Sequence, residues 1–139
     1  VALALVLALA GGLAASGCGG IVAPDLFVVY RSGATSQARL TLLVNEEGMA
    51  RCNGASPRRV SDAQLIQART IQERLHDYAS RRESLPPEPG SVLSYYVRDQ
   101  DGSVKFSDNS SHQPHVMREL ALWTLTVAQE VCRLPQGRV

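Results

Sequence analysis

The sequence predicts an α+β protein: a small antiparallel sheet of about five strands with two helices on one face, in the order βββαββα, after an N-terminal signal segment. Three observations carry this expectation. Short β-branched and aromatic runs are separated by Gly-containing turns; two later segments repeat apolar residues every three to four positions; and residues 1–16 carry no charge. Helices that follow sets of strands pack on one face of an antiparallel sheet. The 139 residues suffice for one domain with one core.

The opening run, VALALVLALAGGLAAS, is mostly Val, Ala and Leu and is interrupted by Gly11 and Gly12. It is short of the roughly 20 apolar residues that a membrane span needs, so it reads as a secretory signal over residues 1–17 that is cleaved off. The residues LAASGC resemble a bacterial lipobox: small residues precede a cysteine whose sulfur receives a diacylglyceryl group. Ala15 stands where that motif prefers Leu. The resemblance implies lipidation of Cys18 and attachment to the cell membrane on its extracytoplasmic face, because each buried lipid CH₂ contributes about 0.8 kcal/mol and several chains anchor stably. A plain secretory signal cut near Ala-Ser-Gly is the alternative. Residues 18–25 then form a tether, 26–134 a single domain and 135–139 a disordered tail.

LFVVYR (26–31) is a strand by propensity, and SGATSQ after it reads as a turn or loop. ARLTLLVN (38–45) alternates as a second strand, NEEG supplies a turn with Gly48 free for positive φ, and MARC (49–52) is a third strand. NGASPRRV reads as a loop before a helix capped by Ser61 or Asp62. Along that helix Leu65, Ala68, Ile71 or Gln72, Leu75 and Tyr78 mark one apolar stripe. The prolines of PPEP forbid regular structure, and VLSYYVRD, QDG and SVKFSD form a hairpin turning at Asp101 and Gly102. Pro114 is placed to be the first residue of the last helix, on which Met117, Leu120, Ala121, Thr124, Val127 or Ala128 and Val131 share a side. The lack of charge between Leu120 and Ala128 predicts cover on more than one face.

Hydrophobic residues make up 45% of the chain, charged residues 19%, and the net charge is +1, with the arginines scattered. This composition excludes a disordered chain and gives no nucleic-acid-binding stripe. With Cys18 assigned to lipid, Cys52 and Cys132 remain as a pair. In an oxidising exported setting they are expected to form a disulfide between the end of a strand and the end of the last helix. His112 and His115 flank Pro114, and His76 adjoins Asp77, but neither arrangement supplies the three or four ligands of a zinc site. No G-x-S-x-G or S-x-x-K motif occurs, and RSGATS lacks the lysine of a phosphate-binding loop. Glu46, Glu47, Asp99 and Asp101 belong to hairpin turns. The expectation is a protein without catalytic residues, metal or cofactor.

An early strand ending in RSG, a strand followed by a Gly turn, the VSDAQL helix start, a Tyr-bearing strand, DG, a strand ending in FSD and a Pro-started last helix together resemble the emfourin-type proteins. The resemblance covers about residues 26–132 and implies a small α+β fold; the founding member of that family inhibits thermolysin-like metalloproteases. Here RSG lacks the second Gly of the pattern, and the Cys52 and Cys132 pair departs from it. The functional expectation is a membrane-anchored lipoprotein whose domain binds an extracytoplasmic protein such as a metalloprotease. Arg31, Ser32 and Gly33, at a strand end, are the candidate contact residues. A structural or assembly lipoprotein, associating through the apolar face around Leu122, Trp123 and Leu125, is the competing expectation.

Overall fold

The computed structural model describes residues 24–135. The expected signal segment 1–17, Cys18, the expected tether up to residue 23 and the expected tail from residue 136 lie outside the described residues. The protein is α+β, with one antiparallel sheet and two helices. Its elements are β1 (Asp25–Gly33), a short 3₁₀ turn (Ser36–Ala38), β2 (Leu40–Asn45), β3 (Met49–Cys52), β4 (Arg58–Arg59), α1 (Asp62–Ser80), β5 (Leu93–Arg98), β6 (Ser103–Ser107) and α2 (His115–Glu130). Strand order is β4-β3-β2-β1-β5-β6, every neighbouring pair antiparallel.

Alternation along the strands separates two faces of the sheet. Phe27 and Val29 of β1, Leu40, Leu42 and Val44 of β2, Tyr95 and Val97 of β5, and Val104 and Phe106 of β6 are buried on the helix side. They meet Ala68, Ile71 and Leu75 of α1 and Met117, Leu120, Trp123 and Val127 of α2 in one core. Phe27 and Trp123 cross edge to face with centroids 5.3 Å apart, the geometry that aromatic quadrupoles favour.

Ser61 begins α1 with a capping box. Its hydroxyl accepts from the Gln64 backbone N–H at 3.1 Å, and Gln64 Oε1 accepts from the Ser61 backbone N–H at 2.9 Å, satisfying two amides that a helix start leaves free. Gln64 also docks the second helix: its carbonyl accepts from Trp123 Nε1 at 2.9 Å, and its Nε2 donates to Glu130 at 3.0 Å. An Arg74–Glu119 ion pair closes the other end of the helix pair.

Four expectations need correcting. β1 runs through Ser32 and Gly33, which the sequence assigned to a turn, because both pair with β5 (Ser32 with Ser94, Gly33 with Leu93). A sixth strand exists: Arg58 and Arg59, read as loop, pair with Ala50 and Met49. Pro114 is the N-cap rather than the first helical residue, since its ψ of 145° is extended. The uncharged side of α2 is not covered twice: Leu122 is 62% exposed and Leu125 41%, whereas Trp123 is buried and belongs to the core rather than to an outward patch.

Cys52 at the end of β3 and Cys132 just past α2 are joined by a disulfide, with Cα atoms 6.1 Å apart. At the opposite sheet edge, residues 83–85 run beside β6: Lys105 N–H donates to the Glu83 carbonyl and Leu85 N–H to the Lys105 carbonyl, both at 2.9 Å. These bonds cap an edge that would otherwise expose unpaired backbone groups.

Candidate functional site

The face of the sheet away from the helices carries no covering element among the described residues, and the strand registers place its side chains in three transverse rows. Arg51, Leu43, Val28, Arg98 and Ser103 form the first. Thr41, Tyr30, Tyr96 and Lys105 form the second. Ser32, Ser94 and Ser107 form the third, in which Ser107 is buried, its hydroxyl held by the Leu93 carbonyl and Asp108. Tyr30 and Tyr96 stack with centroids 5.8 Å apart and planes 22° apart, and Lys105 Nζ sits 5.2 Å from the Tyr96 centroid, within cation–π range. Three cations stand in these rows and no carboxylate does. Side chains that alternate on a pleated strand share a face only when register aligns them; here it gathers residues from five strands.

A groove of about 360 Å³ opens where this face meets the proline segment, with Tyr30, Arg31, Ser32, Ser94, Tyr96, Lys105, Pro86 and Pro87 on its walls. Arg31 and Ser32 of the expected contact set therefore line it. Arg31 is also structural, since its Nε donates to the Ala38 carbonyl at 2.8 Å and holds the 3₁₀ turn against β1. It is the cross-strand partner of Tyr95, whose phenol is pushed above its ordinary pKa by burial despite the opposing Arg31 charge. Gly33 has a packing role: a Cβ there would stand 2.5 Å from the Val92 carbonyl oxygen and 2.7 Å from Ala38 Cβ.

The proline wall is held by the FSD segment. Asp108 accepts from Ser91 Oγ at 2.9 Å, from Ser107 Oγ at 3.1 Å and from Val92 N–H at 3.2 Å. Burial opposes its ionised form, yet these hydrogen bonds outweigh burial and hold its pKa below the ordinary carboxylate value. Asn109 Nδ2 donates to the Glu88 carbonyl at 3.0 Å, and Glu88 N–H donates back to Asn109 Oδ1 at 3.1 Å. PPEP lacks regular structure but has a fixed path.

A second hollow, of about 510 Å³, lies between α1 and the β5–β6 turn. His76 Nδ1 is 3.0 Å from Asp101 Oδ2, and the hydrogen bond and charge of Asp101 raise the imidazole pKa. Asp99 accepts from the backbone N–H groups of Asp101 and Gly102 at 2.8 and 2.9 Å; burial raises its pKa against those bonds. His115 sits in the first turn of α2, 3.1 Å from Glu119, and His112 precedes it with φ 54°. Among the described residues no group of three His, Cys, Asp or Glu side chains is placed to hold a metal ion. Glu46 and Glu47 lie in the β2–β3 turn, where their carbonyls accept from Arg69 and Arg59.

Asp25, where the described chain enters β1, pairs with Asn45, and the same end carries Glu46, Glu47, Asp99 and Asp101. Ser32 and the groove lie seven residues further along β1, about 23 Å away at the rise of a strand. Fold and face together define a small α+β protein with an uncovered aromatic and basic sheet surface. Compared with family models, curated proteins and solved structures, the chain gives no match.

Proposed function

We propose that this chain is an exported lipoprotein, anchored through lipid on Cys18 to the extracytoplasmic face of the cell membrane, whose domain binds another protein through the uncovered sheet face without chemistry of its own. The observation that carries the binding reading is the Tyr30–Tyr96 stack with Lys105 beside a groove lined by Arg31 and Ser32. Tyrosines that present apolar area with a polar tip suit a surface that is wet when free and buried when bound. The anchoring reading rests on LAASGC. It is consistent with the chain path, in which β1 begins at one end of the sheet and the groove lies at the far end.

Anchoring is tested by the mass of the N-terminal peptide of membrane-extracted protein: a diacylglyceryl-modified Cys18 is expected, and Cys18→Ser is expected to release the protein from membranes. An unmodified Cys18 that stays membrane-bound removes the reading. The resemblance to the emfourin-type proteins makes a thermolysin-like metalloprotease the first partner to titrate. Inhibition at micromolar protein that weakens in Tyr96→Ala is the expected result, and unchanged protease activity removes that partner. A second reading, a structural envelope lipoprotein that self-associates, draws on the exposure of Leu122 and Leu125 on α2. A monomer by light scattering, unchanged in Leu122→Ser, eliminates it.

A further inference from the structure

We infer that the groove takes an acidic, extended segment of the partner protein; this rests on the protein-binding reading above and adds the chemistry of what is bound. The cation on the open side of the groove is Lys105; Arg31 also borders it, but its register with Leu40 and Tyr95 turns its side chain to the helix side, where Nε donates to the Ala38 carbonyl. No Asp or Glu lines the groove, and the rows beyond it add Arg98 and Arg51. Lys105, Arg98 and Arg51 are the charged side chains of the three rows, while Arg58 and Arg59 lie on β4 at the far sheet edge and the one acidic residue of the strands is Asp25, at the end of β1 remote from the groove. A chain with a net charge of only +1 thus presents a locally positive surface, and such a surface selects an oppositely charged partner and repels cationic ones.

The shape favours a strand-like occupant over a globular one. About 360 Å³ is near the lower bound of ligand-holding clefts, bounded by a proline wall and floored by stacked rings. Pro86 and Pro87 give that wall a fixed φ, and the Asp108 and Asn109 hydrogen bonds pin the segment that follows them. The wall therefore costs little ordering entropy on binding. Ser32 and Ser94 supply hydroxyls that pair with the backbone of an extended peptide, while Lys105, on the same face, meets its carboxylates.

The test uses the full chain in non-ionic detergent and three fluorescein-labelled octapeptides: one of Glu, Pro and Tyr, its Gln counterpart and its Lys counterpart. Fluorescence anisotropy is expected to show saturable binding of the Glu peptide, binding at least about tenfold weaker of the Gln peptide, and none of the Lys peptide. Lys105→Ala is expected to weaken the Glu peptide roughly fivefold, Lys105→Glu to abolish its preference over Gln, and Lys105→Arg to retain it, which separates lost charge from lost folding. Equal affinity for the Glu and Gln peptides overturns the inference. So does competition by vesicles of anionic phospholipid whose own binding is lost in Lys105→Glu, because the occupant is then a headgroup surface. A partner protein that is still bound by the Lys105→Glu variant overturns the acidic segment and leaves the protein-binding reading standing; the Cys18 mass reports on anchoring independently of both.

Discussion

At the scale of single residues, one buried side-chain polar atom among the described residues has no hydrogen-bond partner. Thr124 is fully buried in α2, and its Oγ1 finds no hydrogen bond. A buried hydroxyl without a partner carries its desolvation cost in full, whereas an apolar side chain of the same shape does not. Thr124→Val is therefore expected to raise stability by about 1 kcal/mol, visible as a higher urea midpoint; a lower midpoint would show that the hydroxyl is satisfied in solution. Gly33 is the opposite case. With a carbonyl oxygen and a methyl both closer than 3 Å to any added Cβ, Gly33→Ala must push β1 from the 92–93 segment. It is expected to destabilise by about 1–3 kcal/mol in chemical denaturation. Gly33 in RSG thus has a structural cause independent of binding.

At the scale of elements, the β5–β6 hairpin is tied to α1 by His76 and Asp101, and by Gly102, whose Cα approaches so closely that a Cβ would stand 2.2 Å from the Ala79 carbonyl oxygen. The imidazole pKa is raised in the folded protein, first by the Asp101 hydrogen bond, then by the Asp101 charge, with Asp77 and Asp99 adding to it. A raised folded value means that the folded state binds the proton more tightly, so the contribution is fully present below the ordinary value of 6.5 and is lost as pH rises through the folded value. Proton NMR is expected to show His76 titrating above 6.5 and returning toward that value in Asp101→Asn. Titration at or below 6.5 in the unsubstituted protein would contradict the clasp. Asp108 has the reverse linkage: its depressed pKa stabilises the proline loop above the ordinary carboxylate value, and that stabilisation is lost as pH falls through the folded value.

At the scale of the whole molecule, the disulfide links the strand half of the fold to its last helix across 80 residues. Chain entropy alone assigns a closed loop of that length about 4.5 kcal/mol. Reduction, or Cys52→Ala with Cys132→Ala, is expected to lower the thermal midpoint substantially while the sheet registers persist at low temperature. An unchanged midpoint after complete reduction would mean that the unfolded chain gains nothing from release. Neither cysteine lies on the uncovered sheet face, so peptide binding by that face is expected to survive reduction wherever the domain stays folded.

Several elements were legible locally. The β2–β3 and β5–β6 hairpins show Gly at their turns, α1 announces itself through Ser61 and Gln64, and the stripe of Ala68, Ile71 and Leu75 is buried as its spacing requires. Local chemistry suffices where a turn needs positive φ or a helix start needs a cap. β4 was hidden because Arg58 and Arg59 have no strand signature and become one only by pairing with β3. The reach of β1 through Gly33 was hidden for the same reason, its partner β5 lying some sixty residues away in the chain. The three polar rows were present as alternation in Val28-Tyr30-Ser32, Ser94-Tyr96-Arg98 and Ser103-Lys105-Ser107. Alternation shows that such residues point one way, but not which strands lie side by side. The sequence by itself determined the class of fold, the Gly48 and Gly102 turns and the Ser61 start of α1, because these depend on neighbours within a few positions. The strand order β4-β3-β2-β1-β5-β6 decided that Tyr30 meets Tyr96 and that Tyr96 meets Lys105, because cross-strand neighbours are set by long-range pairing.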